Sequence, residues 1–327
     1  MSQSNLILDV NNIVYRNFFV ALHSKKGLDD EELHFNTAIS YELILNGLSK
    51  FHSKFGSDKL VLAFDTPNSW RKIYTKEDPN RISKNIYKDG RLKSLTESQK
   101  AKLAKFSKSV EEFYEVMKSH TNLIVLKEEL LEADDLIAGY VQKYKDEQHI
   151  IVSTDKDFLQ LLTNSNVQIA DPESLKFRNL EDFDNDPVYF MYQKCFRGDK
   201  GDNVQNAFPK LRETRIKKAY TGDKFEFENL MKNTFSVEVL KDGKVEKYNY
   251  ITEDIFKENK LLMDLTLQPQ DIRELMDLSI EDAMLTRNKF SMVNFLKFLG
   301  KYNMDNIVQN IDKYTHLLAG KTKRLSS

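Results

Sequence analysis

A single cysteine, Cys195, stands in a chain of 327 residues. It cannot close an intrachain disulfide or build a cysteine-based zinc site, and a reducing compartment is the expectation. Proline (6) and glycine (11) are scarce, while apolar residues make up 40% and charged residues 30%. That balance excludes collagen-like and disordered chains. No apolar run approaches the roughly 18 residues that suggest a membrane span. The opening MSQSNLILDVNN lacks the basic head of a secretion signal and meets Asp9 at once, so a cytosolic location is expected. An excess of one charge is missing too: 49 Lys and Arg face 50 Asp and Glu. The total therefore says nothing about an anionic partner, and only the placement of charge can.

Short apolar runs punctuate the first half. Leu6–Leu8 reads as a strand ending at Asp9, with a helix after it through Ile13, Val14 and Phe18. Phe35–Phe55 carries apolar residues at helical spacing. Lys59–Phe64 is a strand ending at Asp65, Asn122–Leu126 a third, His149–Val152 a fourth just before Asp155, and Asn166–Ala170 a fifth. Helical patterns over Leu103–Lys118 and Ala133–Lys145 separate most of them. Strands alternating with helices predict an α/β fold with a central, mostly parallel sheet flanked by helices. Ligands of such sheets sit beyond the carboxyl ends of the strands, where Asp9, Asp65 and Asp155 fall. Residues 1–185 are expected to form this core. Residues 186–327 should be mainly helical, with a small hairpin within 223–254 around Asp242-Gly243. Phe290, Val293, Phe295, Leu296 and Leu299 are expected to pack its last helices.

The acidic residues form a pattern. LLEADDLIAGY places Glu132, Asp134 and Asp135 at the start of a helix. VSTDKDFLQL places Asp155 and Asp157 two apart as a strand ends. GDKGDNV places Asp199 and Asp202 three apart, neighbours if that segment is helical. Any one of them could be a cap or a turn residue. Together, carboxylates converging on one sheet edge would repel and raise one another's pKa unless a cation met them. Oxygen donors without Cys or His select Mg²⁺ or Mn²⁺.

Basic residues cluster beside them. Residues 71–108 hold twelve Lys or Arg and four Asp or Glu, and residues 191–224 hold nine and four. A solvated face is one explanation. A surface for a nucleic-acid backbone is another, and it accounts for location as well as sign. Trp70 is expected to pack; Tyr87 either packs or stacks on a base.

The ordered combination LEADDLIA, STDKDFLQL and GDKGDNV, preceded by LILDVNN and LVLAFD, resembles the 5′-nuclease family. That family comprises flap endonucleases, the 5′-nuclease domain of bacterial DNA polymerase I and bacteriophage 5′→3′ exonucleases. Within it the chain most resembles the T4-like phage group called ribonuclease H, which removes RNA primers. The resemblance is strongest over residues 6–205. It implies a core of the family type with a basic arch or bridge over 71–108, and two Mg²⁺ ions for which Mn²⁺ can substitute. Asp9, Asp65, Glu132, Asp134 and Asp155 would gather around the first ion. Asp157, Asp199 and Asp202 would lie nearer the second, with Asp155 shared; Asp135 belongs to the same acidic cluster. Tyr87-Lys88-Asp89-Gly90-Arg91 resembles the family's Tyr-Lys-x-x-Arg: Lys88 would contact the scissile phosphate and Arg91 assist it. Arg16, Arg71 and Lys72 resemble basic residues near substrate.

The pattern breaks after Asn203. Relatives often carry a glycine-rich helix–hairpin–helix that binds duplex phosphate with a monovalent cation, but no glycine stands between Asp202 and Gly222. Lys210, Arg212, Arg215, Lys217 and Lys218 would hold the duplex through side chains instead. The implied substrates are RNA–DNA hybrids, nicked or forked duplexes and 5′ flaps. The implied setting is phage replication in a bacterial cytosol, as a monomer, with single-strand-binding protein and a sliding clamp as partners. Two other readings remain at this point: a noncatalytic structure-specific DNA-binding protein of the same fold, and a phosphomonoesterase with an aspartyl nucleophile at Asp9.

Overall fold

The computed structural model describes residues 3–24, 28–241 and 244–321. In chain order its elements begin with β1 (Ser4–Asp9), α1 (Val10–Leu22), α2 (Asp30–Phe55), β2 (Lys59–Ala63) and α3 (Trp70–Glu77). Next come α4 (Glu97–His120), β3 (Ile124–Leu126), α5 (Ala133–Lys143), β4 (Gln148–Val152) and β5 (Val167–Ala170). Then follow α6 (Pro187–Arg197), α7 (Glu213–Tyr220), α8 (Lys224–Met231), β6 (Thr234–Lys241) and β7 (Lys244–Ile251). The chain ends with α9 (Thr252–Met263), α10 (Gln270–Leu285), α11 (Met292–Lys301), α12 (Asp305–Gln309) and α13 (Asp312–Leu318). No helix is long and apolar enough to cross a membrane among the described residues.

Two compact units emerge. The first comprises residues to Pro67, Leu95–Arg178 and from Asp271 onward; the second comprises Asn68–Ser94 and Asn179–Gln270. This division differs from the expected boundary at residue 185. The basic stretch 71–108 divides between the units at Ser94, and the C-terminal helices belong to the first.

In the first unit, five strands pair in parallel in the order β3-β2-β1-β4-β5. The chain builds outward from β1 through β2 to β3, then crosses to β4 on the other side of β1. The reversal makes the β1/β4 boundary a topological switch point, where such sheets open a crevice. Leu6 and Leu8 of β1 join one core cluster with α1, α2, α4 and α11. Asn5, of the opposite parity, is reached by the Tyr140 hydroxyl of α5 at 3.0 Å, as the two-residue period requires. Within the cluster Tyr41 stacks on Phe113, ring centroids 4.7 Å apart. The α2 helix starts with a capping box between Asp29 and Glu32. On α11, Phe295 and Leu299 are buried as expected, but Val293 and Leu296 face outward and Phe298 takes the third inward position. A stripe spaced by three and four reaches 295, 298 and 299 together and turns 293 and 296 away.

The second unit is helical around an antiparallel hairpin of β6 and β7. Tyr250 of the hairpin packs with Ala207 and Ile255. The expected Asp242-Gly243 turn lies outside the described residues. Although the stretch after Asn203 lacks glycine, two helices do follow it. The α7 and α8 helices are joined by Thr221, Gly222 (φ +109°) and Asp223, whose side chain caps α8.

Candidate active site

Three aspartates of the first unit, Asp9, Asp65 and Asp155, lie where adjacent strands end. Asp9 closes β1 and caps α1: its Oδ1 accepts from Asn12 N at 3.2 Å. Its Oδ2 accepts from the Ser153 hydroxyl at 2.8 Å, and the side chain is only 3% exposed. Asp65 follows β2, and its Oδ1 accepts from Ala133 N at 2.8 Å, the first amide of α5. Helix N-termini favour negative charge, which explains why an aspartate settles there. That bond ties Asp65 to the start of the helix that opens with Glu132, Asp134 and Asp135. Glu132 N donates to Asp135 Oδ2 at 3.2 Å, so Asp135, fully buried, serves the helix start. Asp155 lies beyond β4. Its Oδ1 accepts from Asp157 N at 2.8 Å, and its carbonyl accepts from Arg178 Nη1 at 2.7 Å.

The electrostatics follow from this crowding. Burial, and next the negative charge of Asp65, push the Asp9 carboxyl up to about 7; Asp155 adds to the rise. β1 hydrogen-bonds to β2 on one side and β4 on the other, so the three aspartates end adjacent strands. No three His, Cys, Asp or Glu stand close enough to hold an ion as they are, among the described residues. The donors themselves fit a hard divalent cation: oxygen atoms only, at an edge that holds buried negative charge.

The expected acidic pair of the second unit sits in a turn rather than a helix. Asp199 and Val204 bridge in antiparallel fashion, and Asp199 Oδ1 accepts from Gly201 N at 2.7 Å and Asp202 N at 3.1 Å. Gly198 enters the turn at φ +64°, and a Cβ there would lie 2.5 Å from the carbonyl oxygens of Val204 and Gln205. Only glycine meets both demands.

The Tyr-Lys-x-x-Arg segment is bound to this turn. Tyr87 donates from its hydroxyl to Asp202 Oδ2 at 2.8 Å, Lys88 N to Asp202 O at 2.7 Å, and Asn203 Nδ2 to Ile86 O at 3.0 Å. Arg91 donates from Nε to Gly201 O at 3.0 Å and pairs through Nη2 with Asp202 Oδ1. Burial alone would raise the Asp202 carboxyl; Lys88, Arg91 and the Tyr87 hydroxyl together hold it below the usual range. Lys88 takes φ +56°, an unusual conformation for a side-chain-bearing residue, retained where surroundings enforce it.

Two expected nucleic-acid contacts are corrected. Arg71 is 2% exposed, with Nε donating to Leu262 O at 2.6 Å and its guanidinium over Trp70. A guanidinium buried in this way and bonded to a main-chain carbonyl is not offered to phosphate. Tyr87 is buried too: it orients Asp202 and does not stack on a base. Lys72 is exposed, and Arg16 is exposed and paired with Glu173 at 2.9 Å. Lys210 and Arg212 are exposed; Arg215, Lys217 and Lys218 pair with Glu226, Asp184 and Asp223. The Lys217 and Lys218 pairs lie at the surface, where such pairs contribute little.

Several supporting residues escape a reading of the sequence. Ser153 holds Asp9, Asn11 Oδ1 accepts from Asp65 N at 3.2 Å, and Asn12 Oδ1 accepts from the Thr154 hydroxyl at 2.7 Å. Their signal is adjacency: DVNN and VST flank the aspartates.

Residues 4–193 match the family described as 5′-3′ exonuclease, N-terminal resolvase-like domain. A 5′-3′ exonuclease of Mycoplasmopsis pulmonis (strain UAB CTIP) is 26% identical over 327 residues, covering 96% of this chain and 91% of that protein. Ribonuclease H of Enterobacteria phage T4 is 29% identical over 252 residues, covering 72% of this chain and 75% of that protein. The T5 D15 protein co-crystallised with metal ions shares the fold at 18% identity and a TM-score of 0.60, over 88% of this chain and 100% of that one. The T5 D15 flap endonuclease in complex with DNA and metal ions does so at 18% identity and 0.59, over 87% and 99%.

Proposed function

Since the chain belongs to the 5′-3′ exonuclease family, whose related proteins are named as nucleases, we propose that it is a Mg²⁺-dependent, structure-specific 5′→3′ exonuclease and flap endonuclease. Its substrates are RNA–DNA hybrids and nicked or forked DNA duplexes with a 5′ end. Its duty is the removal of RNA primers in phage replication. The observation that carries this reading is the placement of Asp9, Asp65 and Asp155 at the ends of three adjacent strands, with Asp65 bonded to the start of the Glu132–Asp135 helix.

Asp9, Asp65, Glu132, Asp134 and Asp155 of the first unit would hold one ion; Asp157 there, and Asp199 and Asp202 of the second unit, are the further oxygen donors. When bound, two Mg²⁺ ions supply an activated water and neutralise phosphate charge. The chain's own residues do the rest. Ser153 and Asn12 N fix the two oxygens of Asp9. Tyr87 and Arg91 fix Asp202 and keep it ionised. Lys88 contacts the scissile phosphate, and Arg91 assists it. Exposed Lys72, Lys210 and Arg212 contact duplex phosphates without reading bases, so specificity comes from the end or fork. The products are a 3′-hydroxyl and a 5′-phosphate.

The test is a panel of 5′-labelled substrates: an RNA–DNA hybrid, a nicked duplex and a 5′ flap, each with and without Mg²⁺. Short 5′-terminal products that require Mg²⁺ are expected. Duplex binding without cleavage of any of them would favour the noncatalytic reading.

A further inference from the structure

The second unit contains a buried carboxylate outside the acidic motifs. Glu258, on α9, is 4% exposed. Its Oε1 accepts from Ile82 N at 2.6 Å and its Oε2 from Ser83 N at 2.7 Å. The Tyr74 hydroxyl donates to Oε1 at 3.3 Å. Residues 81–86 form neither helix nor strand, so their amides have no ladder of their own. One carboxylate serves two successive main-chain donors there, as buried amides require.

The same segment is also tied to α3 and to the hairpin. Tyr87 N donates to Thr75 Oγ1 at 2.9 Å, and Arg81 donates to the Thr75 carbonyl. The Lys84 ammonium lies 5.8 Å from the centre of the Tyr248 ring, on the hairpin. Immediately beyond come Lys88 and Arg91, bound to the Asp202 turn. Residues 81–91 thus run from a clamp on α9 to a clamp on the acidic turn. Burial raises the Glu258 carboxyl, and the amides of Ile82 and Ser83 draw it back.

We propose that Glu258 is a positioning residue: by clamping the amides of Ile82 and Ser83, it sets the turn that presents Lys88 to the scissile phosphate. This role rests on the proposed nuclease activity, in which Lys88 meets that phosphate. A glutamine cannot replace it, because an amide offers one acceptor oxygen where donors reach both carboxylate oxygens, and it turns its own N–H groups on the other.

The experiment compares the full chain with Glu258→Gln, Lys88→Ala and the double variant. Amide hydrogen exchange at 82–87 is read without substrate or metal. Single-turnover cleavage of a 5′-flap DNA is read with Mg²⁺, and affinity for the same DNA with Ca²⁺ in its place. In Glu258→Gln we expect exchange at Ile82 and Ser83 to rise at least tenfold. The cleavage rate should fall about tenfold while DNA affinity stays within twofold. Adding Glu258→Gln to Lys88→Ala should cost less than a further twofold, because one acts through the other. Unchanged exchange, a loss of affinity that equals the loss of rate, or a fully additive double variant would each overturn the proposal. Should Glu258→Gln not fold, Thr75→Val removes the other anchor, at Tyr87 N. The same split between rate and affinity is expected of it, and its absence overturns the idea. A parent protein that never cleaves would reject the nuclease reading and the positioning role with it, whereas a cleaving parent with an indifferent Glu258→Gln rejects the positioning role alone.

Discussion

The Tyr87 hydroxyl donates to Asp202 Oδ2 at 2.8 Å, joining a basic segment to an acidic turn about a hundred residues further along the chain. The same carboxylate receives Arg91 on its other oxygen. Tyr87→Phe deletes one donor and leaves the ring. We expect a stability loss of about 1 kcal/mol, typical of one hydrogen bond. A higher Mg²⁺ concentration for half-maximal cleavage should accompany it, because a less firmly held Asp202 is a poorer donor. Thermal melts and a Mg²⁺ titration of the single-turnover rate check both.

Asp65 raises the cost of keeping Asp9 ionised in a buried site. Asp65→Asn retains an acceptor for Ala133 N and removes the charge. Without divalent ions the variant should be more stable than the parent by on the order of 1 kcal/mol, the usual trade of function for stability at a strained site. Mg²⁺ should raise the melting temperature of the parent more than that of the variant. Melts with EDTA and with Mg²⁺ decide it.

Gly198→Ala should cost at least about 1 kcal/mol from its positive φ, with further loss from the collision with two carbonyl oxygens. The displaced turn carries Asp199, so cleavage should fall even at temperatures where the variant remains folded. Urea unfolding and cleavage assays on the same preparation separate the two effects.

His149 is buried on β4, with Nε2 2.9 Å from the Tyr144 carbonyl, the distance of an Nε2–H donor. Nδ1 has no hydrogen-bond partner among the described residues. Burial, above all, lowers its pKa below the ordinary value of 6.5. The unfolded chain then takes up the proton more readily. Stability is unaffected above about 6.5 and is lost as pH falls below it toward the folded-state value. His149→Gln keeps a donor for Tyr144 O and removes the titration. Between pH 7.5 and 5.5 the parent should therefore lose more stability in urea than the variant. Equal losses would contradict the assignment.

The strand-ending aspartates were legible because each strand is a short buried run and its acid ends the run or follows it within three residues. The five strands and their helices fall within a few residues of the periodicity, as a local signal allows. What stayed hidden depends on partners distant in sequence. Arg71 reads as one more cation in a basic run, yet the Leu262 carbonyl, on α9, receives its guanidinium. Glu258 lies in an ordinary amphipathic helix, and nothing local announces that Ile82 and Ser83 need it. Val293 and Leu296 look like core, but the phase of α11 is set by the cluster it packs against. The return of residues 271–318 to the first unit is likewise a long-range choice: the side chains of Met276 and Ile280 lie closely against Gly139 of α5. The pairing of 82–91 with 199–204 and 258 needed the fold.

Asp155→Asn tests the central claim most directly. Its cleavage of a 5′-labelled flap in Mg²⁺ and its binding to the same DNA in Ca²⁺ are measured beside the parent's. The account predicts a loss of at least a hundredfold in single-turnover rate with affinity within about threefold, the signature of an interaction needed for the reaction and not for docking. A variant that cleaves like the parent would contradict it.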